Sequence, residues 1–330
     1  MFNLSNLFIP AILFFALGFV SRLIRSDLKF PPDLAKALSI YLLVGIGLHG
    51  GMELAHSPIN SALDAIGVAL LLGFGLPLIA YAILIWLVRI DALNASAIAA
   101  HYGSVSAGTF LTAIAYLKSQ GISYESYPVI MLAVMESPAI IVGLLLAKFS
   151  RRAESNNAGA AAGSNGEIKR LLHEAVTNGS VVLLFGSMLI GVIASPTNLA
   201  GITPFFSDIF MGALCLFLLE MGMDAARRID EFRHVGLLLL GFGIAMPIIG
   251  GAIGVFVGHT VLALSVGGAA LVGVLGASAS YIAVPPAMRL AVPEANPSFY
   301  LTLSLGVTFP FNVLLGIPLY FHMAKAIAGV

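Results

Sequence analysis

Two stretches of small residues and one isolated carboxylate carry the chemistry of this 330-residue chain. The first stretch is Gly103-Ser104-Val105-Ser106-Ala107-Gly108-Thr109. The second is Gly276-Ala277-Ser278-Ala279-Ser280-Tyr281, with Pro285-Pro286 close behind. Small residues let backbone approach a ligand, and Ser and Thr hydroxyls both donate and accept hydrogen bonds. Proline cannot continue a regular helix. A half-helix starting inside such a stretch aims its free N–H groups and positive dipole end at the break, which suits an anion. Hydroxyls and broken-end carbonyls suit a cation. Small residues also let helices pack closely, but the matched pair favours a binding site.

Glu136 stands in the apolar run Val134-Met135-Glu136-Ser137-Pro138. An ionisable group deep in an apolar segment is costly and is a functional candidate by default. A carboxylate beside opened carbonyls suits Na⁺ or H⁺. Thr308, ahead of Phe309-Pro310, is its counterpart later in the chain, so Glu136 and Thr308 are the Na⁺ candidates. Glu220 and Asp224 stand beside Arg227 and Arg228 at helical spacing and read as a structural ion pair. Glu53 reads as interfacial. His49 and His101 titrate near neutral pH but read first as hydrogen-bonded packing residues. His322 and Trp86 suit interface positions. Catalytic signatures are missing: there is no GxSxG, no HExxH and no phosphate loop. The chain therefore reads as no enzyme, with no cofactor beyond a coupling ion.

The elements that hold these residues follow from composition. Hydrophobic residues make up 59% and charged residues only 10%. A soluble domain carries about a quarter charged residues, so lipid must be the solvent for much of the chain. Net charge is zero, which leaves no electrostatic case for nucleic acid. The single cysteine, Cys215, excludes an intrachain disulfide and a cysteine-based metal site. Ten apolar segments can be read, near 7–24, 37–53, 63–88, 93–117, 127–149, 177–195, 205–223, 235–257, 263–290 and 298–322. Positive charge follows the first apolar run instead of preceding it, so that run reads as a retained span and not a signal peptide.

Fourteen of the 16 Lys and Arg residues fall in alternate connections, those after the first, third, fifth, seventh and ninth segments. The positive-inside rule makes these connections cytoplasmic and puts both termini outside. Residues 153–170, with their run of Ala, Gly, Ser and Asn, read as a flexible cytoplasmic linker. The linker separates a first five-segment unit, 1–152, from a second, 171–330. Motifs recur across it. Gly51-Met52-Glu53 matches Gly222-Met223-Asp224, Leu72-Gly73-Phe74-Gly75 matches Leu240-Gly241-Phe242-Gly243, and Pro138 matches Pro310. Five spans per unit turn the second unit upside down. The expected fold class is an all-α polytopic membrane protein of ten helices in two inverted repeats, with broken helices crossing at the midplane.

With these residues in place, the chain resembles the sodium-dependent bicarbonate transporters known from cyanobacteria. The resemblance rests on GIGLHGGMEL at 45–54, GSVSAGTF at 103–110, MESPA at 135–139 and EMGMDA at 220–225. It continues through SASYIAVPPAMRLAVPEANPS at 278–298 and GIPLYF at 316–321. It implies a core and a gate domain, a homotrimer, an elevator-like movement and Na⁺-coupled uptake of bicarbonate across a bacterial plasma membrane. It also implies an anion site at the two broken tips, here Gly103, Ser104, Ser106, Gly108 and Thr109 with Ala277, Ser278, Ala279 and Ser280. A PII-type signalling protein docking on the cytoplasmic face is implied as well. The chain departs from that pattern in carrying Tyr281 and Glu136 where the cyanobacterial members carry Asp, and Thr308-Phe309-Pro310 in place of a Gly-Thr-Pro step. Tyr281 motivates a second reading, a transporter of a short carboxylate coupled to H⁺ through Glu136. A membrane sensor that binds an ion without moving it is the third.

Overall fold

The computed structural model describes residues 9–55, 58–155, 179–194, 196–229 and 235–330. Among them every regular element is helical and there is no strand. In chain order the helices are α1 (Pro10–Leu23), α2 (Pro32–Leu54), α3 (Ile59–Ile83), α4 (Ala92–Gly103), α5 (Ala107–Ser119) and α6 (Tyr127–Ser155). They continue with α7 (Gly179–Ile193), α8 (Phe210–Arg227), α9 (Leu237–Thr260), α10 (Val266–Ala277), α11 (Val284–Ala291) and α12 (Pro297–Ala328). Two short helices, Pro196–Leu199 and Thr203–Ser207, lead into α8.

Six helices among the described residues are long and apolar enough to cross a membrane. They are α2, α3 with its π-helical end, α6, α8 with its leading turn, α9 and α12. The remaining apolar segments differ for a physical reason. Those near 93–117 and 263–290 are each broken in two, as α4–α5 and α10–α11. α1 and α7 have 14 and 15 described residues. The first three residues of the expected linker, 153–155, continue α6 as helix. Most of the linker lies outside the described residues, as do Lys169, Arg170 and Arg233.

Local sequence explains how these helices start and bend. Proline sits at the first position of α1 and α2, where a missing N–H costs nothing. Asp91 caps α4 by accepting from the Asn94 N–H at 2.9 Å. Ser265 caps α10 by accepting from the Gly268 N–H at 3.3 Å. Pro77, Pro138 and Pro247 lie inside α3, α6 and α9. Each removes one helical hydrogen bond and frees the carbonyl four residues earlier. In α9 that carbonyl belongs to Gly243, and the Thr308 hydroxyl donates to it at 2.6 Å. α12 passes through two π-helical stretches, Thr302–Thr308 and Asn312–Gly316, on either side of Pro310.

The helices sort into packed groups. α3, α4 and α6 pack together, and so do α9, α10 and α12. α1 packs on α8, and α2 on α7. Glycines set both of these pairs. A Cβ on Gly18 would collide with the Leu219 carbonyl, and one on Gly222 with the Phe15 carbonyl. In the other pair Gly47 meets Leu184 and Ser187, while Gly51 meets Met188 and Gly191, so α2 and α7 run in the same direction. Small residues that bring backbones together are the usual adhesive between helices in lipid. The apolar flanks Leu13, Leu17, Leu189 and Ile193 are exposed, as lipid-facing side chains must be.

One ion pair ties α6 to the connection before α12. Arg151 holds Glu294 through two bonds, Nε to Oε1 at 3.2 Å and Nη2 to Oε2 at 2.7 Å. Its Nη2 also donates to the Ala291 carbonyl at 2.9 Å. The arginine keeps the Glu294 carboxyl below its ordinary value of 4.5. Both side chains are substantially exposed, at 40% and 50%, so solvent screens the pair. Removing it with Arg151→Ala should cost about 0.5 kcal/mol. A depressed carboxyl contributes stability above its unfolded value and loses it as pH falls through the folded value. The thermal midpoints of wild type and variant in detergent should therefore converge as pH drops below 4.5, and an equal gap at every pH would contradict this.

Candidate functional site

The site is built where the two broken helices meet. α4 ends at Gly103 because Ser104 turns to extended backbone, with φ −89° and ψ 168°. Ser106 then starts α5 as its N-cap. Its oxygen accepts from the Thr109 N–H at 3.1 Å and from the Thr109 hydroxyl at 2.9 Å. The Ser106 hydroxyl hydrogen is thereby left to donate elsewhere. α5 is three turns long, and its first N–H groups, on Ala107 and Gly108, have no partner within the helix. Ser104 lies behind the tip and donates to the Glu136 carbonyl at 3.3 Å. Gly103 is there because Pro77 and Ala139 leave no room for a side chain.

The second break follows the same plan. α10 ends at Ala277, Ser278 is extended, and the helix resumes as α11 at Val284. The Ser278 hydroxyl bonds back to the Val274 carbonyl at 2.6 Å, and Asn312 Nδ2 donates to the Ala277 carbonyl at 2.8 Å. Tyr320 fixes that amide by donating to Asn312 Oδ1 at 2.9 Å. The two breaks are joined directly, since the Ser280 N–H donates to the His101 carbonyl at 2.9 Å. Ser104, Ser106, Thr109, Ser278 and Ser280 are all buried.

Four of the residues read from the sequence line one small cavity: Ser106, Ser280, Tyr281 and Glu136. Ser39 of α2 and Leu184 of α7 close its other side. Gly103, Ser104, Thr109, Ala277, Ser278 and Ala279 are placed behind this lining, as the scaffold of the tips. Gly108 lies beside it, and a Cβ there would come within 2.5 Å of the Tyr281 hydroxyl. Thr308 is not brought to the cavity lining. Its hydroxyl oxygen is 2.7 Å from the Tyr102 hydroxyl and bonds the Gly243 carbonyl, a buried network between α4, α9 and α12.

The other candidates are placed plainly as well. His101 is fully buried, its Nδ1 bonds the Ala97 carbonyl at 2.7 Å, and its ring stacks on Tyr300 at 4.5 Å. These contacts suit packing, while its Nε2 is buried with no hydrogen-bond partner among the described residues. Asp224 pairs with Arg227 at 2.6 Å, three residues apart. Trp86 is 78% exposed, as an interfacial residue requires. Sequence reasoning missed Ser39, Tyr102, Asn312 and Tyr320. Each is a polar side chain inside an apolar run, and that was the available signal.

The cavity combines opposite electrostatic preferences. The start of α5 and the Ser106 and Ser280 hydroxyls favour an anion. The Glu136 carboxylate opposes one. In a low-dielectric setting two negative groups side by side are strongly unfavourable, so an anion would fit there only beside a neutralised Glu136. The described residues hold no cluster of three or more His, Cys, Asp or Glu. A small monovalent cation held by one carboxylate with hydroxyl and carbonyl oxygens fits this donor set better than a transition metal.

A protein with several membrane-length helices, and with two interrupted helices meeting at a cavity lined by hydroxyls, a carboxyl and apolar side chains, has the construction of a membrane transport protein. The chain belongs to the Na⁺-dependent bicarbonate transporter superfamily, whose family model matches residues 10–325. No curated protein matches the chain.

Proposed function

We propose that this protein is a secondary transporter that takes up bicarbonate together with Na⁺, by alternating access around the cavity between the two helix breaks. The observation that carries the reading is the single cavity in which Glu136 meets Ser106, Ser280 and Tyr281 from both breaks. Bicarbonate is small, planar and singly charged, which suits hydroxyl donors and a helix start. The opposed Glu136 carboxylate makes binding of the anion depend on binding of the cation, which is what coupling requires.

Several pairs of contacts support a ten-helix inverted repeat beneath this site. Gly103 packs against Pro77, and Gly276 against Gly250. Gly18 and Gly191 notch one helix pair each, as do Gly51 and Gly222. Glu125 accepts from Ser265 at the start of α10, and Asn94 accepts from Asn296 at the start of α4. With the connections after odd segments in the cytoplasm, Ser39 and Leu184 lie in the inner half of their helices. The cavity then belongs to an inward-facing state, in a bacterial plasma membrane with both termini outside. The family resemblance supports a homotrimer and leaves a cytoplasmic PII-type regulator as a further partner.

The test is uptake of labelled bicarbonate into proteoliposomes. Uptake should require an inward Na⁺ gradient. Uptake indifferent to Na⁺ but collapsed by a protonophore would sink the Na⁺ reading. The Tyr281 hydroxyl in the cavity favours one alternative, H⁺-coupled transport of a short carboxylate through Glu136. Binding of such a carboxylate with no bicarbonate uptake would decide for it.

A further inference from the structure

Glu220 has no part in the cavity, yet its position calls for an explanation. It lies on α8, one turn beyond Phe217 and one turn before Asp224, so Phe217, Glu220, Asp224 and Arg227 form a stripe along one face. The stripe begins beside the cavity wall. A Cβ on Gly108 would lie 2.5 Å from the Tyr281 hydroxyl and 3.0 Å from Phe217 Cε1, so Tyr281 and Phe217 meet at that point. The stripe ends at the half-exposed Arg227, which holds Asp224 at 2.6 Å.

Glu220 Oε2 and the Tyr281 hydroxyl are buried along this row without a well-formed hydrogen bond, although the Asp224 carboxyl lies within hydrogen-bonding contact of the Glu220 carboxyl. Glu220 and Asp224 both act electrostatically on that hydroxyl, and the Ser106 side chain lies within hydrogen-bonding contact of it. Asp224 and Arg227 on its own helix act on Glu220, and Glu220 in turn acts on Tyr281 of the second break. Buried oxygens left unpaired are rare in folded proteins and call for an explanation. Arg227 does not answer for Glu220, because Asp224 engages it. Beyond Tyr281 the row runs into the cavity, where Tyr281, Ser106 and Glu136 share one lining. Acidic groups inside a membrane protein that face its interior commonly mark an ion or proton path.

We propose that Glu220 is a second station for the coupling cation, taking it from Glu136 across the Tyr281 and Ser106 hydroxyls and passing it to Asp224 at the end of α8. The ligand is a small monovalent cation, Na⁺ or a proton. The inference rests on the transport reading above and adds a route to it. Net uptake needs the cation to leave on the inner side, whereas isotope exchange of bicarbonate across the membrane proceeds with the cation still bound. Loss of an exit station therefore separates the two.

Wild type, Glu220→Gln and Glu220→Asp are compared in proteoliposomes, reading gradient-driven net bicarbonate uptake and equal-concentration exchange. In Glu220→Gln net uptake should fall by about tenfold or more while exchange stays within about twofold of wild type. Glu220→Asp, which keeps a carboxylate, should retain most of the net uptake. Parallel loss of net uptake and exchange in both variants would show that Glu220 only supports the fold, and would overturn the proposal. Unchanged net uptake in Glu220→Gln would overturn it as well. A wild-type protein that exchanges bicarbonate but shows no cation-driven net uptake would instead overturn the coupled-transport reading, and this route with it.

Discussion

Glu136→Gln should weaken the apparent affinity for Na⁺ more than any other single change at the cavity. The glutamine keeps the size and the packing of the glutamate but removes the only carboxylate among the described residues that line the cavity. A charge-assisted contact is worth about 1.5–3 kcal/mol. Losing it weakens cation affinity by roughly 10- to 150-fold. The measurement is the Na⁺ concentration giving half-maximal bicarbonate uptake, which should rise by that factor or pass beyond the measurable range. The anion side of the site stays intact, so bicarbonate bound at saturating Na⁺ should change far less. A variant with the wild-type Na⁺ dependence would remove Glu136 from the coupling mechanism.

The second large effect is steric. Gly108→Ala adds a Cβ that meets the Tyr281 hydroxyl at 2.5 Å, Phe217 at 3.0 Å and Phe309 at 3.3 Å. Phe217 and Phe309 are buried, and Tyr281 packs edge-on against Phe309 at 5.3 Å, so little can give way. Overpacking of this kind costs about 1–3 kcal/mol. It should appear as a lower thermal midpoint in detergent and as lost uptake, since the first turn of α5 is displaced. Adding Tyr281→Phe removes the atom that collides first. The double variant should recover much of the lost thermal midpoint, a non-additivity expected of residues in contact. Gly75→Ala, with nothing within 4 Å of the new methyl, is the control and should behave as wild type. Equal damage in the single and double variants would show that Tyr281 is not the obstruction.

Much of this arrangement was legible in the residues. The runs read as broken spans, around Ser104–Ser106 and Ser278–Ser280, are where α4 and α10 end. Their composition sufficed, because extended backbone inside an apolar segment needs small residues and hydroxyls. Glu136 was legible because a lone carboxylate in an apolar run has few structural excuses. Thr308 was read as its counterpart from spacing alone. Its hydroxyl serves instead the carbonyl that Pro247 frees in α9, a need that appears only once α9 and α12 are side by side. Asn312 stayed hidden for the same reason, since its partner Ala277 is 35 residues away, and Tyr320 with it, since its hydroxyl serves Asn312. Ser39 needed the knowledge that α2 faces the breaks.

The glycine contacts of α1 with α8 and of α2 with α7 limit how this protein can move. At Gly18, Gly222, Gly51 and Gly191 main chain rests on main chain. Such a contact has no rotamers to exchange, so sliding by part of a turn would drive Cα atoms into carbonyls. Each pair behaves as a single thick rod. The contact of α2 with α6 is different, because there Gly50 faces the side chain of Val129, whose methyl groups a new Cβ would meet at 2.8 Å. Side-chain seams of that kind can shear, and main-chain seams cannot. The degrees of freedom that open and close the cavity are therefore confined to the surfaces where the paired rods meet the helices carrying the breaks.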